Sequence, residues 1–137
     1  MGVQTSFHVL RAALFVLACA PPAVADEAAL DDLLWTSRPV VVFADSARDP
    51  RFVEQMADLA SREDDLAERD VVILSDTDPA ARGPLRKRLR PRGFNLVLIG
   101  KDGQIKLRTP HPIEVDALNR HIDRMPMRRR EMKGGQD

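Results

Sequence analysis

Cysteine is almost missing from this sequence: the 137-residue chain has a single one, Cys19, and none after it. Thiol–disulfide exchange starts from a thiolate, so a form of the chain without its first segment can do no such chemistry and form no disulfide. Aromatic residues make up 4%, with one tryptophan and no tyrosine. That leaves no interleaved aromatic set on which nucleic-acid bases would stack, and nucleic acid is not expected as a partner. The formal net charge is zero, so no whole-protein field draws the chain toward a polyanion or a membrane surface. No apolar run approaches the roughly 20 residues that a membrane-spanning helix needs. Neither Gly-x-Ser-x-Gly nor His-Glu-x-x-His occurs, which removes two common hydrolase arrangements. No cofactor motif is present.

What is present begins with a targeting pattern. Arg11, the apolar run Ala12–Ala20 and the small residues Ala23-Val24-Ala25 read as an export signal over residues 1–25, cleaved after Ala25. Pro21-Pro22 argues against a buried helix there. A periplasmic or secreted product is expected. Val16-Leu17-Ala18-Cys19 also resembles a lipobox loosely, and cleavage before Cys19 would leave a lipid-anchored protein. One domain is expected over residues 26–132, followed by a disordered tail over 133–137.

Pro39–Ala44 is a continuous apolar, β-branched run, the pattern of a strand buried on both faces. Asp49-Pro50 reads as an N-cap and first helical residue. Phe52, Met56, Leu59 and Leu66 recur at helical spacing, predicting one long helix to Ala67. Val71–Leu74 is a second strand, completing a right-handed βαβ unit. Asp78-Pro79 starts another helix that Gly83-Pro84 interrupts, leaving a short one around Leu85–Arg90. Phe94–Ile99 and the alternating Gln104–Arg108 form a hairpin around Gly100-Lys101-Asp102-Gly103. Val115, Leu118, Ile122 and Met125 mark a last helix that Pro126 ends or kinks. The order β-α-β-α-β-β-α is that of a thioredoxin-like three-layer α/β/α sandwich with a mixed four-stranded sheet.

The hairpin Leu98–Arg108, the segment Ile122–Met132, and more weakly Val40–Ala44 and Glu68-Arg69-Asp70, resemble the family named domain of unknown function 4174, over Arg38 to Met132. The resemblance implies a thioredoxin-like fold and an extracytoplasmic setting; related domains occur in animal sushi-repeat extracellular proteins linked to adhesion. It implies no catalytic residue.

Thioredoxin-like enzymes hold their reactive thiol where the first strand meets the next helix. Here that place is Asp45-Ser46-Ala47-Arg48-Asp49, which carries no sulfur. A ligand is still expected there, at a strand's carboxyl end and a helix N-terminus. Asp45, Ser46 and Arg48 would bind it, with Arg92, Ser75 and Asp76 from neighbouring loops. The competing expectation is that Asp49 only caps the helix. Arg82, Arg86, Lys87, Arg88, Arg90 and Arg92 form one basic cluster; Arg124, Arg128, Arg129, Arg130 and Lys133 form another. Either would suit an anionic envelope component or protein, unless paired within the chain. Met125, Met127, Met132 and His121 carry Cu(I)-type donors, but their spacing matches no dense repeat, and no metal is expected. The functional expectation is a non-enzymatic binding or adhesion-type module of the bacterial envelope. The alternatives are an unrecognised enzyme at the strand-end loop, using Asp45, Ser46, Arg48 and His111, or a degenerate thioredoxin relative that binds redox partners.

Overall fold

The computed structural model describes residues 27–135. The expected export signal, Cys19, and Gln136 and Asp137 of the tail lie outside the described residues.

After a short helix, α1 (Glu27–Asp32), the chain enters β1 (Arg38–Phe43), every residue of which is buried. The burial follows from position: β1 pairs in parallel with β2 (Val71–Asp76) on one side and antiparallel with β3 (Asn95–Ile99) on the other. β4 (Ile105–Thr109) completes a mixed sheet of order β2-β1-β3-β4. Pro39 is tolerated in this central strand because pairing with β3 begins only at Val40.

Alternation along β1 and β3 separates two cores. Val40, Val42, Leu96 and Leu98 meet Leu59, Leu66, Leu118 and Ile122 on one face of the sheet. Val41, Phe43, Val97 and Ile99 meet Leu30, Leu85 and Leu89 on the other. The first layer comes from α2 (Pro50–Ser61), α3 (Glu63–Ala67) and α5 (Val115–Asp123); the second from α1 and α4 (Pro84–Leu89). Truncating any of these leucines to alanine removes apolar contact and leaves a cavity, at a cost of about 2–5 kcal/mol. Gln55, fully buried on α2, ties the layer to the loop before α5: it donates to the Ile113 carbonyl at 3.0 Å and accepts from the Ile113 amide at 2.8 Å.

Three expectations change. The single helix to Ala67 is two, because Arg62 leaves helical geometry (φ −130°, ψ 34°) to join Asp65 and Asp116. The hairpin does not alternate strictly. Leu98 pairs with Leu107 and Ile99 with Ile105, so Lys106 is an extra, bulged residue and Ile105 turns outward, 48% exposed. The helix expected to be the last is followed by another: Pro126–Gly134 forms α6, with Arg128 buried. Lys133 and Gly134, expected in the disordered tail, are its last residues.

Candidate functional site

At the carboxyl end of β1, Asp49 caps α2 by accepting the Arg51 amide at 2.9 Å. The same carboxylate takes both arms of the Arg51 guanidinium, at 3.1 and 2.8 Å. This hydrogen bonding holds Asp49 below the usual carboxylate pKa. Arg51 also lies over the Phe94 ring, 5.6 Å from its centre. Ser46 Oγ accepts the Arg48 amide at 3.1 Å, a turn internal to the loop. Asp45, Ser46 and Arg48 thus share one open, shallow concavity with Asp49, Pro50 and Arg51. Arg92 is exposed in the loop before β3 and lines no part of that wall.

Beneath the loop, Arg86 of α4 closes the strand ends. Its guanidinium donates to Asp76 Oδ1 at 2.9 Å, the Asp76 carbonyl at 3.1 Å and the Ala44 carbonyl at 2.6 Å, and it lies 5.5 Å from the centre of the Phe43 ring. Asp76 is therefore a partner of Arg86 and of the Asp78 amide, not a free ligand group. Ser75 lies within β2, paired with Val42. His111 is exposed in the loop after β4, bonded through its backbone to Thr109 Oγ1.

The two basic clusters divide. Arg86 is bound inward, Arg88 pairs with Asp31 at 3.1 Å, and Arg128 is buried against Glu68 and Asp123. Arg82, Lys87, Arg90 and Arg92, Arg124 at the end of α5, and Arg129, Arg130 and Lys133 on α6 are exposed and have no ion-pair partner among the described residues. Arg82 and Arg90 adopt left-handed backbone (φ 46° and 48°) as the C-caps of the 3-10 turn Pro79–Ala81 and of α4. Of the Cu(I) candidates, His121 is engaged through a ring nitrogen, which meets the Lys106 carbonyl at 3.2 Å. Among the described residues, no group of three or more His, Cys, Asp or Glu side chains is placed to hold a metal.

The opposite end of the sheet holds an ionic assembly that the sequence did not reveal. Glu131 Oε1, on α6, accepts from Arg38 of β1 at 3.0 Å and from Lys101 of the hairpin turn at 2.8 Å. Lys101 also reaches Asp70 at 2.8 Å, and the other arm of Arg38 donates to the Arg69 carbonyl at 2.8 Å. Arg69 and Arg128 both meet Asp123. Burial works against charge on Glu131, but its bonds to Arg38 and Lys101 prevail and lower its pKa. Burial likewise opposes the Lys101 charge, and bonds to Asp70 and Glu131 raise its pKa nonetheless. The Arg69 bond lowers the pKa of Asp123. The one signal for this cluster in the sequence is Glu131, a single acid set among the basic residues of α6.

A family model described as "Domain of unknown function (DUF4174)" matches residues 29–131. No curated protein matches the sequence. Among solved structures, the reduced 2-Cys peroxiredoxin of Plasmodium vivax superposes with a TM-score of 0.57 at 13% identity, over 69% of this chain and 80% of that one. Prx1a of Plasmodium yoelii gives 0.53 at 16% identity, over 69% and 76%. These likenesses establish the thioredoxin fold, which agrees with the observed sheet order.

Proposed function

The chain belongs to the family described as Domain of unknown function (DUF4174), and from that premise we propose that it is a non-enzymatic binding module of the bacterial envelope, exported by its N-terminal segment, which holds an anionic partner on the face of α4. One observation carries this reading. Arg82 and Arg90 occupy left-handed C-cap positions, where glycine is the residue of least strain, yet both are arginines, exposed and without an ion pair among the described residues. A side chain retained at a backbone cost of roughly 1 kcal/mol calls for a return that folding does not supply. The helix dipole gives a small part of it. Lys87 of α4 and Arg92, two residues past its C-cap, are exposed as well and add to the positive charge of this segment.

An enzyme at the strand-end loop is less well supported. The Plasmodium vivax neighbour is named a 2-Cys peroxiredoxin, whereas this loop, Asp45–Asp49, has no cysteine and its concavity is open and shallow. Asp49, the helix-capping carboxylate of the loop, is already engaged by Arg51.

Dextran sulfate, a sulphated polysaccharide, tests the proposal with the purified domain. Binding at low salt that weakens steeply as salt is added, and that falls about tenfold or more in the Arg82→Gly/Arg90→Gly double variant, is the expected result. Because glycine suits both backbone positions, Tm should hold or rise. Undiminished binding by the double variant would refute the assignment to this face.

A further inference from the structure

A second site lies at the other end of the sheet from the α4 face, and it goes beyond the function just proposed. Between the hairpin turn and the start of α6 is a cavity of about 220 Å³. Its walls combine two chemistries. Arg38, Lys101, Lys106 and Arg130 bring cationic side chains, and Asp102 is the one carboxylate; Met125, Pro126 and Met127 form an apolar side.

Three features of the backbone make room for it. The bulge in β4 takes Lys106 out of the strand's alternation and lets its ammonium lie 2.8 Å from Asp102 on the cavity wall. Gly100 keeps the wall thin: a Cβ there would fall 2.6 Å from Lys106 Cε and 2.7 Å from Asp102 Oδ1, so any side chain would push both aside. Met125 precedes α6 as an N-cap that offers no side-chain hydrogen bond, so the positive end of that helix adds to the field of the four cations.

The charge count selects the ligand. Behind the wall, Glu131 and Asp70 neutralise Arg38 and Lys101, and Asp102 neutralises Lys106. Arg130 has no ion pair among the described residues, which leaves one positive charge in surplus beside an apolar surface. A dianion such as phosphate would be undercompensated and would waste the thioether wall. A neutral apolar molecule would leave the cations without a partner. We infer that this cavity binds a small monocarboxylate with a short apolar body, its carboxylate held by Arg130 and Lys106 and its body against Met125 and Met127.

The two methionines are built-in reporters. The chain, labelled with [¹³C-methyl]methionine, is titrated with hexanoate and followed by NMR. Saturable movement of the Met125 and Met127 methyl signals, with Met56 of α2 unmoved, is expected. Hexanamide, which has the same body and no charge, should leave them in place. Arg130→Ala should weaken hexanoate binding about fivefold or more, the scale of one charge-assisted hydrogen bond at a part-exposed site. Since Arg130 is exposed, that variant should keep the wild-type Tm. Gly100→Ala, which crowds Lys106, should weaken it as well. The inference fails if the signals do not saturate, if hexanamide moves them equally, if Arg130→Ala binds as the wild type does, or if inorganic phosphate binds more tightly than hexanoate. None of these outcomes depends on Arg82 or Arg90, so this site and the α4 face stand or fall separately.

Discussion

Arg38 on the first strand and Glu131 on the last helix, 93 residues apart in sequence, meet in a 3.0 Å salt bridge in which the arginine side chain is only 1% exposed. A guanidinium this deep requires compensation. It receives that from the Arg69 carbonyl on one arm and Glu131 on the other. Because Lys101 shares the same carboxylate oxygen, one side chain of α6 answers two cations from different parts of the sheet. This is what docks a helix that has little apolar surface of its own.

Glu131→Gln should therefore cost more than an ordinary surface change. The amide can still accept a hydrogen bond but takes away the countercharge of Arg38 and one of the two that Lys101 has, leaving it Asp70 alone. A loss of about 1–3 kcal/mol is expected from the part-exposed pair, measured by urea unfolding. Glu114→Gln, on an exposed residue outside the network, should stay within about 0.5 kcal/mol. Equal stability of the two variants would show that α6 is held by other contacts.

The same cluster sets an acid limit. Glu131 and Asp123 both have pKa values lowered in the folded chain, Glu131 by Arg38 and Lys101 against the effect of burial, Asp123 by Arg69 and Arg128. A carboxylate with a depressed folded pKa binds protons more readily when unfolded. Its contribution is therefore complete above the unfolded values, near 4.5 for Glu and 3.8 for Asp, and is lost as pH falls through the folded ones. Lys101, raised by Asp70 and Glu131, loses its contribution only at the alkaline end. Unfolding free energy should be flat from pH 6 to 7, as expected when no involved group titrates there, and should drop below about pH 4. In Glu131→Gln the acid drop should be shallower; a parallel curve would remove Glu131 from the acid response.

What could be read from the sequence follows from how local each signal is. Val40–Phe43 and Leu96–Ile99 identify themselves because a strand covered on both faces needs apolar residues at every position, and Asp49-Pro50 marks a cap that is complete within three residues. The break at Arg62 could not be read, because Leu59 and Leu66 suit one continuous helix and the residue that draws Arg62 aside is Asp116, distant in sequence. Alternation from Gln104 to Arg108 concealed the bulge at Lys106 for the same reason: pairing with β3 decides it. α6 was misread since Pro126–Gly134 lacks an apolar stripe and its docking depends on Arg38, Lys101 and Glu68. At the strand-end loop, the sequence brought Asp45, Ser46 and Arg48 together but could not show that Arg51 occupies Asp49 or that Arg86 occupies Asp76.

Arg86 offers the sharpest separation of a structural charge from a binding one within the α4 cluster. Its neighbours Lys87 and Arg90 are exposed, while its own side chain is 10% exposed and spends its donors on Asp76 and on the Ala44 and Asp76 carbonyls. Arg86→Ala would leave the Asp76 carboxylate, itself 15% exposed, and two carbonyls at the end of β1 and β2 without that donor. A loss of about 3–4 kcal/mol is expected, the range for breaking a buried pair. Arg86→Lys should recover only part of it, because an ammonium cannot reproduce the planar fork that reaches carboxylate and carbonyls at once. Lys87→Ala, one residue away on the exposed side, should leave stability within about 0.5 kcal/mol while weakening the binding of dextran sulfate. Chemical unfolding of the three variants, read beside their polyanion affinity, gives opposite orders for the two properties if Arg86 belongs to the fold and Lys87 to the surface. Should Lys87→Ala destabilise as much as Arg86→Ala, the division of this cluster into a bound and a free set is wrong.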